Sequence, residues 1–360
     1  IRPANLVMLF TDVGQWISQR VRSLFVTPPG LGAFTLPVEI ILMISSHLDI
    51  TSRLSLALTC RTLFLVCFPK YLTLHPVEKE ELLLLIERDL STYYFCHFCV
   101  KLHRWHGSWT RSMNMRDSLP CPGEPGTTLF HPSGHYIPYY HARLVMNRNL
   151  YGPKYGPSLR SLEHRNRSHH TSDRVIKASS RYGHIVDNQL LLLCITSYSH
   201  SNGNAALLRK HINHFRYSVC RHITVAPGSP DHGPVGVPEL AEPKTASSHF
   251  SPCSQGLGSC SICLTDYTVD VTWQDDRRGY LITLSIYNQL GDCRSPSAWE
   301  WRTMASPYAS RDEILRKDRS VEYGLGCVRD RWNRATGVVA EAKGDWVPLP
   351  RMLAESRGEH

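Results

Sequence analysis

The sequence predicts an α+β protein, with a short helical region at the N-terminus and a loop-rich mixed domain containing an antiparallel sheet after it. Apolar residues recur every three or four positions between residues 36 and 64, which is typical of amphipathic helices. Apolar and polar residues alternate between residues 269 and 286, which predicts a hairpin of two half-buried strands. The 360 residues suffice for one or two domains, given ~100 to 200 residues per domain.

The helical region begins at Leu36-Pro37 and breaks at Asp49. Proline suits a first helical turn, and Glu39 suits the positive end of the helix dipole. Asp49 begins a polar stretch that offers caps for a second helix, which ends at the triplet starting with Thr59. The predicted apolar positions are Ile40, Ile44 and Leu48 on the first helix, and Leu54, Leu56 and Leu58 on the second.

The Leu-Pro-x-Glu start and the Thr59-Cys60-Arg61 triplet together resemble an F-box. The periodicity alone fits equally well a helical hairpin without any special partner. The resemblance implies an adaptor of the SCF type, which binds a Skp-type protein and recruits a substrate to a cullin-RING ubiquitin ligase. It also implies a set of residues that divide between packing the F-box and contacting the Skp-type protein: Leu36, Pro37, Ile40, Ile44, Leu48, Leu54 and Leu58.

A further helix is predicted over residues 77–90, because Pro76 precedes a run of acids and leucines. We expect residues 34–90 to form the F-box and this closing helix. Residues 1–33 form an N-terminal extension in which a basic amphipathic helix either lies on a membrane or partner or, as we favour, packs on the F-box. No apolar run approaches the ~20 residues that a membrane span needs.

The substrate-recognition domain is predicted to comprise residues 91–225 and 260–345. The segment 226–259 is rich in Pro, Gly and Ser, so we expect a disordered insertion there, and residues 346–360 form a C-terminal tail. Alternating apolar positions predict a half-buried strand over residues 215–225. The apolar run from Gln189 fits either a buried strand or a buried helix.

Two Cys-x-x-Cys pairs are candidate metal ligands: Cys96 with Cys99, and Cys260 with Cys263. Two thiolates at this spacing can grip one tetrahedral zinc ion, but a structural site needs four ligands. Either both pairs share one zinc, or the first pair forms a local site with His103 and Cys121. The alternative is that these are ordinary buried cysteines.

Twelve cysteines at irregular spacings, without a signal peptide, indicate reduced thiols and a location in the cytoplasm or nucleus. Three segments are similar to recurring blocks of fungal F-box-domain proteins of unassigned substrate: residues 93–105, 260–267 and 287–302. This resemblance implies a binding role and brings no catalytic residues. The sequence contains no phosphate loop, nucleophile elbow or His-Glu-x-x-His motif, so we expect no enzyme activity.

The net charge of +9 is concentrated between residues 101 and 184, where thirteen lysines and arginines face four acids. Aromatic residues such as Trp105 and Trp109 lie among these charges, a composition that a nucleic-acid groove would use. A nucleic-acid-binding protein is therefore one alternative function. A zinc-stabilised structural module without a ligase connection is another.

Overall fold

A computed structural model describes residues 36–69, 73–106, 128–130, 136–170, 173–214, 217–225, 235–241, 249–305, 323–338 and 347–349. These residues divide into two compact units. The N-terminal unit contains the described residues up to 106 together with residues 151–156, and the C-terminal unit contains the remainder. The predicted extension 1–33 lies outside the described residues.

The N-terminal unit starts with four helices: α1 (Val38–His47), α2 (Ile50–Ala57), α3 (Arg61–Cys67) and α4 (Pro76–Asp89). The predicted helices are confirmed, and α3 is an additional one. The first helix ends at His47, and Asp49 caps the second because its carboxylate accepts hydrogen bonds from the Ser52 backbone N–H at 2.9 Å and from the Ser52 hydroxyl at 2.7 Å. Helix α4 begins with a capping box in which Glu78 accepts a hydrogen bond from the His75 N–H at 2.8 Å.

Two small cores hold this unit together. Ile41 of α1 packs with Ala57, Leu63 and Cys67. A second core joins α2 and α4 to the hairpin of β1 (Tyr93–Cys96) and β2 (Lys101–Arg104), through Leu54, Leu82, Leu83, Ile86, Leu90, Phe95 and Leu102.

The hairpin is tied to α4 by a polar contact as well. Buried Glu87 of that helix accepts a hydrogen bond from the Phe95 backbone N–H at 2.9 Å. Residues 91–106, which the sequence analysis assigned to the substrate-recognition domain, therefore pack against the closing helix in the N-terminal unit.

The C-terminal unit contains a long helix, several short ones and most of the strands. Its elements are β3 (Thr128–Phe130), β4 (Tyr136–Pro138), α5 (Tyr139–Tyr151, whose last residue belongs to the N-terminal unit), β5 (His164–His170), β6 (Val175–Val186), β7 (Gln189–His200), α6 (Ala205–His214), β8 (Ile223–Thr224), β9 (Val235–Gly236), β10 (Cys253–Cys260), β11 (Thr265–Trp273), β12 (Tyr280–Gly291), α7 (Trp299–Ala305), α8 (Cys327–Thr336) and β13 (Val347–Leu349).

Seven strands form one sheet in the order β13-β10-β11-β12-β7-β6-β5. All neighbours are antiparallel except β10 and β13. The predicted hairpin is confirmed by β11 and β12, where Val269 pairs with Leu284 and Val271 with Ile282. The apolar run from Gln189 is the strand β7, which lies inside the sheet between β12 and β6. The α+β class is therefore confirmed.

Three sequence predictions in this unit were wrong. The segment expected to be a disordered insertion contains β9 and most of β10, although residues 226–234 and 242–248 lie outside the described part of the chain. The expected tail includes β13, which pairs with β10. The strand predicted from residue 215 is instead a tight loop over 217–225, in which the Val225 N–H donates a hydrogen bond to the Tyr217 carbonyl at 2.6 Å.

Candidate partner interface and cysteine–histidine clusters

Helix α1 exposes an unusual amount of apolar surface. Only Ile41 and Ser45 of this helix are buried. The exposed apolar cluster, by which we mean six side chains of α1 and its start that are 37% to 53% exposed, comprises Leu36, Val38, Ile40, Leu42, Met43 and Ile44. Several large apolar side chains exposed on one short helix indicate an interaction site more often than isolated exposed residues do.

The structure separates the predicted partner-binding residues into three groups by their exposure. Leu36, Pro37, Ile40 and Ile44 are exposed together at α1 and its start, where a partner can reach them. Leu54 is buried in the core of the unit. The half-buried pair is Leu48 and Leu58, of which Leu58 packs against the same core.

The first cysteine–histidine cluster consists of Cys96, Cys99 and His103 on the β1–β2 hairpin. The Sγ atom of Cys99 lies 2.9 Å from Nε2 of His103, a hydrogen-bonding distance. Burial favours the neutral Cys96 thiol, but hydrogen bonds from His103 and from the backbone outweigh it and lower the pKa of Cys96 to about 7. Three donor groups therefore meet here, with one thiol that ionises readily.

The second cluster, which we call the four-donor cluster, consists of Cys220, His222, Cys260 and Cys263. All four donor atoms lie within 4.8 Å of one another. Nδ1 of His222 is 3.4 Å from Sγ of Cys260 and 3.8 Å from Sγ of Cys220. The other ring nitrogen, Nε2, is buried and has no hydrogen-bond partner among the described residues.

Two tight turns of the backbone bring the four donors together. The loop over residues 217–225 closes through a bond from the Val219 N–H to the Ile223 carbonyl at 2.9 Å, and this places Cys220 and His222 at its tip. The second turn follows β10, and there the Ile262 N–H points at Sγ of Cys260 from 3.4 Å.

Neighbouring side chains hold both turns in place. The Tyr323 hydroxyl donates to the carbonyls of Cys260 and Cys263, the latter at 2.6 Å. On the opposite turn, Nε of Arg221 donates to the Met304 carbonyl at 2.9 Å.

The pKa values of the three thiols in the four-donor cluster shift in different directions. Burial raises the pKa of Cys220 and Cys263 well above the ordinary thiol value. Burial acts the same way on Cys260, but hydrogen bonds from the other two thiols and the nearby His222 outweigh it and lower its pKa. The three thiols therefore influence one another's ionisation inside the fold.

The predicted ligands are thus divided between two clusters, and a single site joining both Cys-x-x-Cys pairs is not found in the described residues. Each pair meets its neighbours within its own unit. The structure places His103 beside the first pair, as the local alternative expected, while Cys121 lies outside the described residues. Sequence reasoning missed Cys220 and His222, because their Cys-x-His spacing was taken for part of an alternating strand.

Among the described residues, part of the positive charge of the basic segment lies inside the fold. Three of its basic residues are buried: Arg143, Lys177 and Arg181. Two of these donate hydrogen bonds to backbone carbonyls. Arg143 donates to the Arg294 carbonyl at 2.6 Å, and Arg181 donates to the Leu162 carbonyl at 2.5 Å. Two exposed arginines of this segment, Arg165 and Arg167, lie on β5 at one edge of the sheet, and residues 107–127 are outside the described part.

Comparison with protein families matches residues 33–75 to the F-box-like family model, so an F-box-like domain occupies this part of the chain. F-box domains bind Skp1 in SCF complexes and are typically non-catalytic adaptors. Comparisons with curated proteins and with solved structures found no match. Among the described helices, none combines the length and apolar character needed to cross a membrane.

Proposed function

We propose that this chain is a substrate adaptor whose F-box-like domain binds a Skp-type protein of a cullin-RING ubiquitin ligase. The observation that carries the proposal is the exposed apolar cluster on α1, which lies inside the segment that matches the F-box-like family. Fully burying one large apolar side chain contributes about 1.5 to 3 kcal/mol, so six partly exposed ones offer substantial binding energy.

Within this domain, we assign the buried apolar side chains to the fold and the exposed ones to partner binding. Ile41 and Leu54 are buried and hold α1 and α2 in the fold, whereas Ile40 and Ile44 lie one turn apart and remain exposed. A partner that covers α1 would therefore bury side chains that the unit itself leaves in water, without rearranging its cores.

We propose that the C-terminal unit recruits the substrate. Its seven-stranded sheet gives it a core of its own, independent of the helices of the F-box-like domain. Ubiquitin transfer would be performed by the assembled ligase, and this chain would contribute by holding the substrate close. All described cysteines are free of disulfides, which supports a reducing compartment such as the cytoplasm or nucleus.

Pairwise capture of the full chain by a purified Skp1 protein tests the proposal. In Ile40→Ala/Ile44→Ala, two exposed side chains lose most of their apolar surface, so the fold should persist while binding weakens. At about 1 to 2 kcal/mol per residue, the loss is roughly 30-fold or more in affinity.

The matched control is Val77→Ala/Leu207→Ala, which truncates two exposed apolar residues outside the segment that matches the family. This variant should bind Skp1 like the unmodified chain. Equal capture of all three proteins, each shown to be folded by circular dichroism, would remove the assignment of α1 as the binding surface.

A further inference from the structure

We propose that Cys220, His222, Cys260 and Cys263 bind one structural zinc ion in the C-terminal unit. The site would join the loop over residues 217–225 to the end of β10. This proposal does not depend on Skp binding, because it concerns the folding of the other unit.

The donor set is the first argument. Three thiol sulfurs and one imidazole nitrogen form one of the standard ligand sets of closed, four-coordinate zinc sites. Thiolate and imidazole donors favour zinc over magnesium or calcium, which prefer oxygen ligands. No fifth or open position is needed, so the role that fits is structural rather than catalytic.

The distances are the second argument. Zn–S bonds of about 2.3 Å and Zn–N bonds of about 2.0 Å at tetrahedral angles place sulfur and nitrogen ligands about 3.6 Å apart. The observed separations of His222 Nδ1 from the two nearest sulfurs, 3.4 Å and 3.8 Å, lie on either side of that value. These two separations, and the grouping of all four donor atoms within 4.8 Å, are compatible with a shared ion.

The surrounding contacts are the third argument. The Ile262 N–H points at Sγ of Cys260, an arrangement that stabilises a metal-bound thiolate. Tyr323 holds the carbonyls of both cysteines on the β10 side, and Arg221 anchors the loop on the other side. The ligands are therefore oriented by their own neighbours.

The need for a cross-link is the fourth argument. The loop over residues 217–225 contains only the two-residue strand β8 and a single bridge between Ser218 and Thr224. A disulfide could join only two of the three thiols and would leave the third thiol and His222 without a role. One ion satisfies all four groups and fastens the loop to the large sheet.

The hairpin cluster differs in a way that serves as an internal control. Among the described residues it brings together three donors, and its Cys99–His103 separation of 2.9 Å is shorter than the tetrahedral spacing of about 3.6 Å. Substituting Cys96 and Cys99 should therefore leave the zinc of the four-donor cluster in place.

The experiment measures zinc per chain by elemental analysis in the purified full chain and four variants. His222→Ala and Cys260→Ser should each lose about one equivalent relative to the unmodified chain, whereas Cys96→Ser/Cys99→Ser should retain that equivalent. His222→Cys should also retain it, because a thiolate can replace the imidazole as the fourth ligand.

Cobalt substitution gives a second readout that does not depend on whether the loss variants fold. The visible spectrum of the cobalt-loaded chain should show tetrahedral coordination with sulfur-to-cobalt charge transfer, and His222→Cys should shift it towards that of an all-sulfur site. Unchanged zinc in His222→Ala and Cys260→Ser, or an identical cobalt spectrum in His222→Cys, would overturn the assignment. A metal-free chain that melts identically with and without added zinc would do the same.

Discussion

Asp266 of β11 provides the sharpest test of how the C-terminal unit is held together. Its carboxylate is buried and accepts hydrogen bonds from the backbone N–H groups of Val328 at 2.8 Å and Arg329 at 3.0 Å, at the start of α8. It also accepts from the Ser259 hydroxyl at 2.5 Å and from the Gly326 N–H at 3.2 Å. One side chain thus caps a helix and links it to two strands.

Asp266→Ala should destabilise this unit by about 2 to 4 kcal/mol. Loss of a helix cap costs about 1 to 2 kcal/mol, and buried donors without an acceptor cost about 1 to 3 kcal/mol more. Removing a buried charge offsets part of this sum, because its desolvation penalty also disappears. Ser259→Ala removes one of the donors and leaves the cap, so it should cost only about 1 kcal/mol.

Hydrogen exchange followed by mass spectrometry separates this effect from changes in the other unit. In Asp266→Ala, the amides of α8 should exchange faster, while those of α4 should keep their rates. Urea unfolding of the same proteins gives the free energy of unfolding. A loss below about 1 kcal/mol, with unchanged exchange in α8, would refute the reasoning, since such a cap would have been expected to cost more.

Two further predictions concern a buried histidine and a crowded glycine, and a third concerns the basic segment. Burial and the nearby Arg181 lower the pKa of His141 to about 4. As the pH falls from 7 to 5, the unfolded chain therefore takes up a proton at this residue before the folded chain does, and the free energy of unfolding should fall by about 2 kcal/mol. The fall should be smaller in His141→Gln. Gly258→Ala should cost about 1 to 3 kcal/mol in urea unfolding, because a Cβ atom would meet the Tyr267 ring. Nucleic acid should bind weakly, at ~10⁻⁴ to 10⁻⁶ M and without sequence preference in a salt-titrated assay; nanomolar binding of one sequence would contradict this.

Local patterns in the sequence predicted the elements that stabilise themselves locally. Helix α4 carries its own start signals at His75 and Glu78, and the β11–β12 hairpin has alternating faces and a short polar turn. Both signals lie within about twenty residues, so they can be recognised without knowing the rest of the fold.

The missed features depend on contacts between distant parts of the chain. Strand β10 reads Cys-Ser-Gln-Gly-Leu-Gly-Ser-Cys, a composition with low strand propensity, and it is a strand because β11 and β13 pair with it. Cys220 and His222 become candidate ligands only when the fold places them beside Cys260, 38 residues after His222. The exposure of Ile40 and Ile44, which carries the proposed interface, likewise depends on which face the small cores bury.

The central claim is that α1 of the F-box-like domain binds a Skp-type protein. Hydrogen exchange of the full chain, measured with and without purified Skp1, tests this claim most directly because it reports binding and its location together. We expect slower exchange over α1, where the apolar cluster is exposed in the free chain, and unchanged exchange in the sheet of the C-terminal unit. Absence of protection at saturating Skp1, or protection confined to the C-terminal unit, would contradict the account.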